Sequence, residues 1–135
     1  MDKVNAAPGR DWLDIVTQPT LAAFAAALSI DPELKASVLG ASICGAVRIR
    51  AFFAATRAMY DRIAFTRETG AHDRSILEWE GSYRGMPIEG VTILERDAAG
   101  AIGRIRLFHL PYEQLVAFAD DLAARLATHS NPTET

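Results

Sequence analysis

Residues 75–110 read SILEWEGSYRGMPIEGVTILERDAAGAIGRIRLFHL and decide the fold. Apolar and polar side chains alternate in the first and last parts of this stretch, and Gly85 and the segment 97–100 divide it into three. A period of two is typical of a strand with one buried face. Glycine favours hairpin turns because it adopts positive φ easily. The stretch therefore predicts three consecutive antiparallel strands.

The alternation also predicts which side chains of these strands face the interior. On the first strand, Leu77, Trp79 and Tyr83 share one side. On the third strand, His109 shares a side with the apolar residues at 105 and 107, while arginines occupy the other side. The middle strand is apolar on both sides around residues 91–94, which favours a central strand covered on both faces.

The rest of the chain is predicted to supply helices that cover this sheet. Helical spacing of apolar residues predicts four helices, beginning near residues 12, 19, 45 and 111. Two more strands are expected at residues 33–39 and 60–68, the first of them after a helix break at Asp31-Pro32. Helices placed against a mostly antiparallel sheet define an α+β domain. We assign the domain to residues 11–127 and expect residues 1–10 and 128–135 to be disordered.

Composition and charge exclude several classes of partner. The formal net charge of −3 and the scattered arginines argue against a nucleic-acid partner, since phosphate binding needs clustered positive charge. The longest apolar run, residues 21–28, is shorter than the roughly 20 residues that span a bilayer, so no membrane partner is expected. Cys44 is the single cysteine, and no leader sequence is evident; both features favour a reducing, cytoplasmic location.

Few motifs in the sequence indicate a particular chemistry. No paired His or Cys motif suggests a metal, and no glycine-rich loop suggests a phosphate, so no cofactor is expected. Glu78 and Glu80 lie on one side of a strand, where they could serve as an acid/base pair. They could equally form cross-strand ion pairs with arginines on neighbouring strands, and we favour that interpretation.

Several segments, in order, resemble the nuclear transport factor 2-like superfamily, which includes ketosteroid isomerase and the small polyketide cyclases. They are GAVRIRAFF at 45–53, Glu80-Gly81, GMPIEG at 85–90 and DAAGAI at 97–102. The resemblance covers roughly residues 11–126. It implies a cystatin-like cone: a curved sheet wrapped around N-terminal helices, a C-terminal helix, an apolar pocket at the open end and a homodimer built on the outer face of the sheet.

The resemblance also implies where ketosteroid isomerase chemistry would lie. It puts Phe24 in place of the oxyanion tyrosine, Ser37 at or next to the general-base aspartate, and Thr92 at the protonated acid. None of the three side chains can perform its counterpart's role. Steroid isomerisation by that mechanism is therefore not expected.

Two functional hypotheses remain. In the first, a small apolar molecule binds in the cone and undergoes an isomerase, cyclase or hydrolase step, with His109 as general acid/base and Tyr60 or Tyr83 orienting it. In the second, the protein is a non-catalytic ligand-binding or dimeric assembly module and His109 is a core histidine bonded to a backbone carbonyl. The residues expected to line the pocket are Phe24, Phe53, Tyr60, Phe65, Leu77, Trp79, Tyr83 and Thr92.

Overall fold

The computed structural model describes residues 8–129 of the 135-residue chain. In chain order the elements are α1 (Arg10–Thr17), α2 (Leu21–Ala27), β1 (Leu28–Ala36), β2 (Ile43–Cys44), α3 (Ala46–Met59), β3 (Arg62–Ala71), β4 (Arg74–Tyr83), β5 (Met86–Arg96), β6 (Ile102–Leu110) and α4 (Tyr112–His129).

The six strands form one sheet in the order β2-β1-β6-β5-β4-β3. β1 and β6 pair in parallel, and every other neighbouring pair is antiparallel. Bulges bend strands, and the register shifts at Phe65/Arg67 and Glu95/Arg96. The predicted α+β architecture, with a curved and mostly antiparallel sheet and a C-terminal helix, is confirmed.

The ends of the domain differ slightly from the prediction. Most of the two segments expected to be disordered, residues 1–10 and 128–135, lies outside the described residues. Within them, residues 8 and 9 form a turn, α1 begins at Arg10 and α4 continues to His129. Gly9 occupies the N-cap of α1, without a side-chain hydrogen bond.

The strand predicted at residues 33–39 is β1, which begins and ends earlier than predicted, at Leu28 and Ala36. Asp31-Pro32 does not break a helix but lies within β1, in the interval between Leu28 and Glu33 where pairing with β6 shifts register. Proline has no N–H to donate to a neighbouring strand. It is tolerated at this position because the register shift already interrupts the pairing with β6. Its carbonyl instead accepts a hydrogen bond from the N–H of Gly45 at 3.0 Å.

The strand predicted at residues 60–68 is β3, which runs from Arg62 to Ala71, and its hairpin with β4 is tighter than predicted. Residues 69–71 pair with residues 74–76 of β4, so the turn contracts to His72 and Asp73. β2, which pairs with β1, is an additional short strand that the sequence pattern does not show.

The inner face of the sheet carries the core. Leu77, Trp79 and Tyr83 are all buried, as are Thr92 and His109 on the neighbouring strands. Along β5 the side chains alternate between buried and half-buried, and the half-buried ones, at positions 91 and 93, point to the outer face. β5 is therefore enclosed on one face rather than on both.

An aromatic cluster joins α1, α2 and α3 to one another. Phe53 of α3 stacks on Phe24 of α2, with ring centroids 5.7 Å apart. The Trp12 ring of α1 packs edge-on against both, at 5.2 Å from Phe53 and 6.1 Å from Phe24. Trp12 thereby holds α1 against the other two helices.

Across residues 8–129, no helix is both long enough and apolar enough to cross a membrane.

Candidate functional site

A narrow cavity lies between α1, α3 and the inner face of the sheet. About 30 Å³ of it is wide enough to admit water, within about 400 Å³ of unfilled space that includes its opening to solvent. A space of 30 Å³ holds about one or two water molecules. The residues that line it are Trp12, Val16, Thr17, Phe53, Thr56, Arg57, Tyr60, Ile63, Phe65, Trp79, Thr92 and Leu107.

The lining is mostly apolar and contains a few polar groups. The lining residues with polar side-chain atoms, apart from Arg57, are three threonines, Tyr60 and the two tryptophans. The hydroxyls of Thr17, Thr56 and Tyr60 already have hydrogen-bond partners. The buried Trp79 N–H has no hydrogen-bond partner among the described residues. Arg57 is the one charged residue in the lining, and none of the lining residues carries a carboxylate. Mostly apolar linings with a few polar groups are typical of small-molecule sites, although the present space holds only water.

Gly90 allows the indole to take its place in the cavity wall. Gly90 lies opposite Trp79 on β4 and His109 on β6. A side chain at position 90 would collide with the Trp79 ring and with the carbonyl of Phe108. The bare backbone therefore provides the space in which the indole lies over β5.

Tyr60 links the cavity to His109 behind it. The Tyr60 hydroxyl oxygen is 2.6 Å from His109 Nε2, and the two rings are nearly parallel. His109 is only 2% exposed and also contacts the rings of Trp79 and Phe118. It does not line the cavity itself.

The tautomer of His109 follows from its hydrogen bonds. Nδ1 has no partner among the described residues. With the proton on Nδ1, the Tyr60 hydroxyl donates to Nε2 and one N–H is left without a partner. With the proton on Nε2, both the Tyr60 hydroxyl hydrogen and the Nδ1 lone pair lack a partner. The first arrangement leaves fewer unsatisfied groups and is therefore the favoured one.

Burial suppresses the ionisation of both members of this pair. It lowers the pKa of His109 to about 3 and raises the pKa of Tyr60 well above its ordinary value. Neither group exchanges a proton readily near neutral pH. His109 instead fixes the orientation of the Tyr60 side chain, which belongs to the cavity lining.

The structure divides the predicted site residues into two groups. Phe53, Tyr60, Phe65, Trp79 and Thr92 meet at the cavity. The predicted residues that are buried in the core outside the lining are Phe24, Leu77, Tyr83 and His109.

The Tyr83 side chain is hydrogen-bonded to the C-terminal helix α4 and does not line the cavity. Its hydroxyl donates to Asp121 Oδ2 at 3.0 Å. Burial raises the pKa of Tyr83, and the hydrogen bond with Asp121 raises it further. Burial also pushes the pKa of Asp121 upward, but hydrogen bonds from Arg125 and Tyr83 outweigh it and leave that pKa below its ordinary value.

Five lining residues come from helices and were not expected from the sequence: Trp12, Val16, Thr17, Thr56 and Arg57. Helical spacing indicates that Trp12 and Val16 are buried, but it does not show that their helix lines this cavity. Ile63 and Leu107 also line the cavity. The sequence could have predicted this, because Ile63 shares a strand face with Phe65 and Leu107 shares one with His109.

The two glutamates considered as an acid/base pair lie away from the cavity. Glu78 Oε2 is 3.9 Å from Arg67 Nε on β3, so it forms a cross-strand ion pair. Glu80 lies opposite Glu89 of β5. Throughout residues 8–129, no group of three or more His, Cys, Asp or Glu side chains is arranged to hold a metal ion.

The positions compared with ketosteroid isomerase do not meet at one site. Thr92 lines the cavity, whereas Phe24 and Ser37 do not. The Ser37 hydroxyl instead accepts a hydrogen bond from the backbone N–H of His109 at 3.0 Å.

Solved structures share this architecture. A protein with a cystatin-like fold from Silicibacter pomeroyi matches with a TM-score of 0.81 at 17% identity, over 90% of this chain and 86% of that one. A steroid delta-isomerase from Pseudomonas aeruginosa matches with a TM-score of 0.78 at 16% identity, over 88% of each chain. An NTF-2 like protein from Burkholderia xenovorans matches with a TM-score of 0.61 at 18% identity, over 77% of this chain and 84% of that one.

These matches define the class of fold. No family model and no curated protein matches the sequence. The chain has the cystatin-like α+β fold, and the resemblance to the nuclear transport factor 2-like superfamily is confirmed at the level of fold. This fold carries many unrelated activities, so function has to be argued from the site.

Proposed function

We propose that the protein binds a small, mostly apolar molecule in the cavity between α1, α3 and the sheet. The observation that carries this proposal is the lining itself, which combines apolar side chains from helices and sheet with a few polar residues, among them Trp79, whose buried indole N–H has no partner among the described residues. Apolar concave sites with few polar groups are typical of small-molecule pockets. The likeness to a steroid delta-isomerase fold is consistent with such a ligand.

The cavity has to widen before an organic molecule can enter, because its present space suits only water. We propose that α1 moves. An eight-residue helix has little stability of its own. Two polar contacts hold it at its ends: Gly9 N–H donates to Glu68 Oε1 at 3.0 Å, and Arg57 Nε donates to the Thr17 carbonyl at 3.3 Å. The remaining attachment is the packing of its apolar side chains, of which Trp12 and Val16 are buried.

We propose binding without proton transfer. His109 lies behind Tyr60, and burial lowers its pKa to about 3, so it is a weak base. No lining residue offers a carboxylate in its place. The alternative is a cofactor-independent isomerase, cyclase or hydrolase, in which turnover would depend on His109.

Intrinsic fluorescence tests the proposal, because the chain's two tryptophans, Trp12 and Trp79, both line the cavity. Titration with small neutral compounds such as cyclohexanol, p-cresol and 3-phenylpropan-1-ol should change the emission in a saturable way. Val16→Phe fills the cavity and should abolish the change, whereas Val47→Phe at an exposed site on α3 should not. Identical titrations of the two variants would contradict the proposal.

We also propose that the outer face of the sheet pairs two copies of the chain. This face carries an apolar patch in which the Phe108 side chain is 45% exposed. The members of this outer patch are Ile76, Val91, Ile93 and Phe108.

Charges flank the outer patch in a self-complementary way. Lys35 and Arg106 lie on the β1–β6 side, and Glu80 and Glu89 lie on the β4–β5 side. Among the described residues, none of these four is seen in an ion pair. A two-fold axis through the patch would bring the basic side of one copy against the acidic side of the other.

A further inference from the structure

Arg57 lies at the opening of the cavity, where the apolar lining meets solvent. It is the one charged side chain among the lining residues, and it is exposed in the last turn of α3. Its Nε donates to the Thr17 carbonyl at 3.3 Å. Within residues 8–129 the guanidinium has no ion-pair partner, and its two terminal nitrogens have no hydrogen-bond partner.

One function of Arg57 is already visible, and it uses a single N–H group. The last turn of α1 contains no basic residue, and the carbonyls at a helix C-terminus need donors from elsewhere. Arg57 supplies one such donor. A guanidinium has five N–H groups, so those on the terminal nitrogens remain available at the opening.

The charges around the opening favour an anion. No carboxylate of residues 8–129 lines the cavity, so a cationic ligand would meet Arg57 without a counter-charge from this part of the chain. Asp14, one turn before Thr17 on α1, lies 3.8 Å from the Arg10 guanidinium and is already paired. A carboxylate held at Arg57 would also keep part of its hydration, which avoids the large cost of burying a charge.

We infer that the ligand of the proposed site is an amphipathic anion, a small hydrocarbon bearing one carboxylate. Its apolar part lies in the cavity, and its carboxylate pairs with the terminal nitrogens of Arg57 at the opening. Two parallel N–H···O bonds are the arrangement that a guanidinium and a carboxylate favour. This inference rests on the proposed function, and it adds the chemical class of the ligand.

A matched pair of ligands tests the inference. Dissociation constants of 3-phenylpropanoate and 3-phenylpropan-1-ol, which differ only in the terminal group, are measured by calorimetry at neutral pH. We expect the carboxylate to bind about fivefold more tightly, as an exposed ion pair allows. Arg57→Gln should remove that preference, so that the two ligands bind with equal affinity; loss of the contact with the Thr17 carbonyl affects both ligands alike and leaves their ratio unchanged. Arg48→Gln, an equivalent charge change at an exposed site on the same helix, should preserve the preference.

These measurements distinguish failure of the carboxylate inference from failure of the proposed binding site. If the alcohol binds as tightly as the carboxylate, or if Arg57→Gln weakens both ligands equally, Arg57 is only a cap for α1 and the inference is overturned. The proposed site survives that result. If neither ligand binds, both the site and the inference fail.

Discussion

The hydrogen bond between Tyr60 and His109 is enclosed by aromatic rings, so its loss should be costly. Tyr60→Phe removes the hydroxyl and leaves His109 Nε2 buried without a partner. We expect a loss of about 1–3 kcal/mol in the free energy of unfolding, measured by urea denaturation. Tyr112→Phe is the control, because that side chain is 74% exposed and should change stability little. Equal stabilities of the two variants would contradict the assigned hydrogen bond.

The burial of His109 also predicts a pH dependence of stability. Its pKa is about 3 in the folded protein and near 6.5 in the unfolded chain. Between these values the unfolded state binds more protons, so the free energy of unfolding falls as the pH is lowered from about 6.5 to about 3. The contribution is at most about 1.4 kcal/mol per pH unit.

Denaturation at a series of pH values measures this effect. His109→Gln should flatten the pH profile, whereas His72→Gln, at an exposed turn position, should leave it unchanged. A profile that stays equally steep in His109→Gln would show that other groups cause the acid sensitivity.

The sequence predicts side-chain direction well where strands alternate. The period of two puts Trp79 and His109 on the inner face, and both are buried there. The same period does not show which of these side chains lines the cavity. Trp79 does, whereas His109 lies behind Tyr60. Arg57 is missed for another reason: an arginine on the polar side of an amphipathic helix resembles any solvated charge.

At the scale of elements, the contact between β4 and β5 depends on the absence of a side chain at position 90. Gly90→Ala would drive a methyl group into the Trp79 ring and the Phe108 carbonyl. We expect a loss of at least about 2 kcal/mol in the free energy of unfolding, together with altered Trp79 fluorescence. Gly40→Ala is the control, since nothing lies within 4 Å of a side chain built there. Similar stabilities for the two variants would contradict the proposed packing.

Local patterns predict β3 to β6 well because each strand pairs with its sequence neighbour. They predict β1 less well, because its main partner, β6, is far along the chain and its proline falls at a register shift. The location of α1 over the cavity depends on tertiary packing of Trp12, which no local pattern contains.

At the scale of the whole molecule, the outer patch predicts the oligomeric state. Phe108→Glu places a charge within the outer patch and should convert a dimer into a monomer in analytical ultracentrifugation. Leu21→Glu, at a side chain that is 48% exposed on α2, should leave the dimer intact. A wild-type protein that sediments as a monomer at all accessible concentrations would contradict the proposed pairing.

The central claim is that a ligand enters the space between α1, α3 and the sheet, and NMR titration tests it most directly. The spectrum contains two tryptophan indole N–H signals, which Trp12→Phe assigns. On addition of 3-phenylpropan-1-ol, we expect both indole signals and the backbone signals of α1 to shift together and saturate, while those of the outer patch stay in place. Saturable shifts confined to the outer patch, or none at all, would contradict the claim.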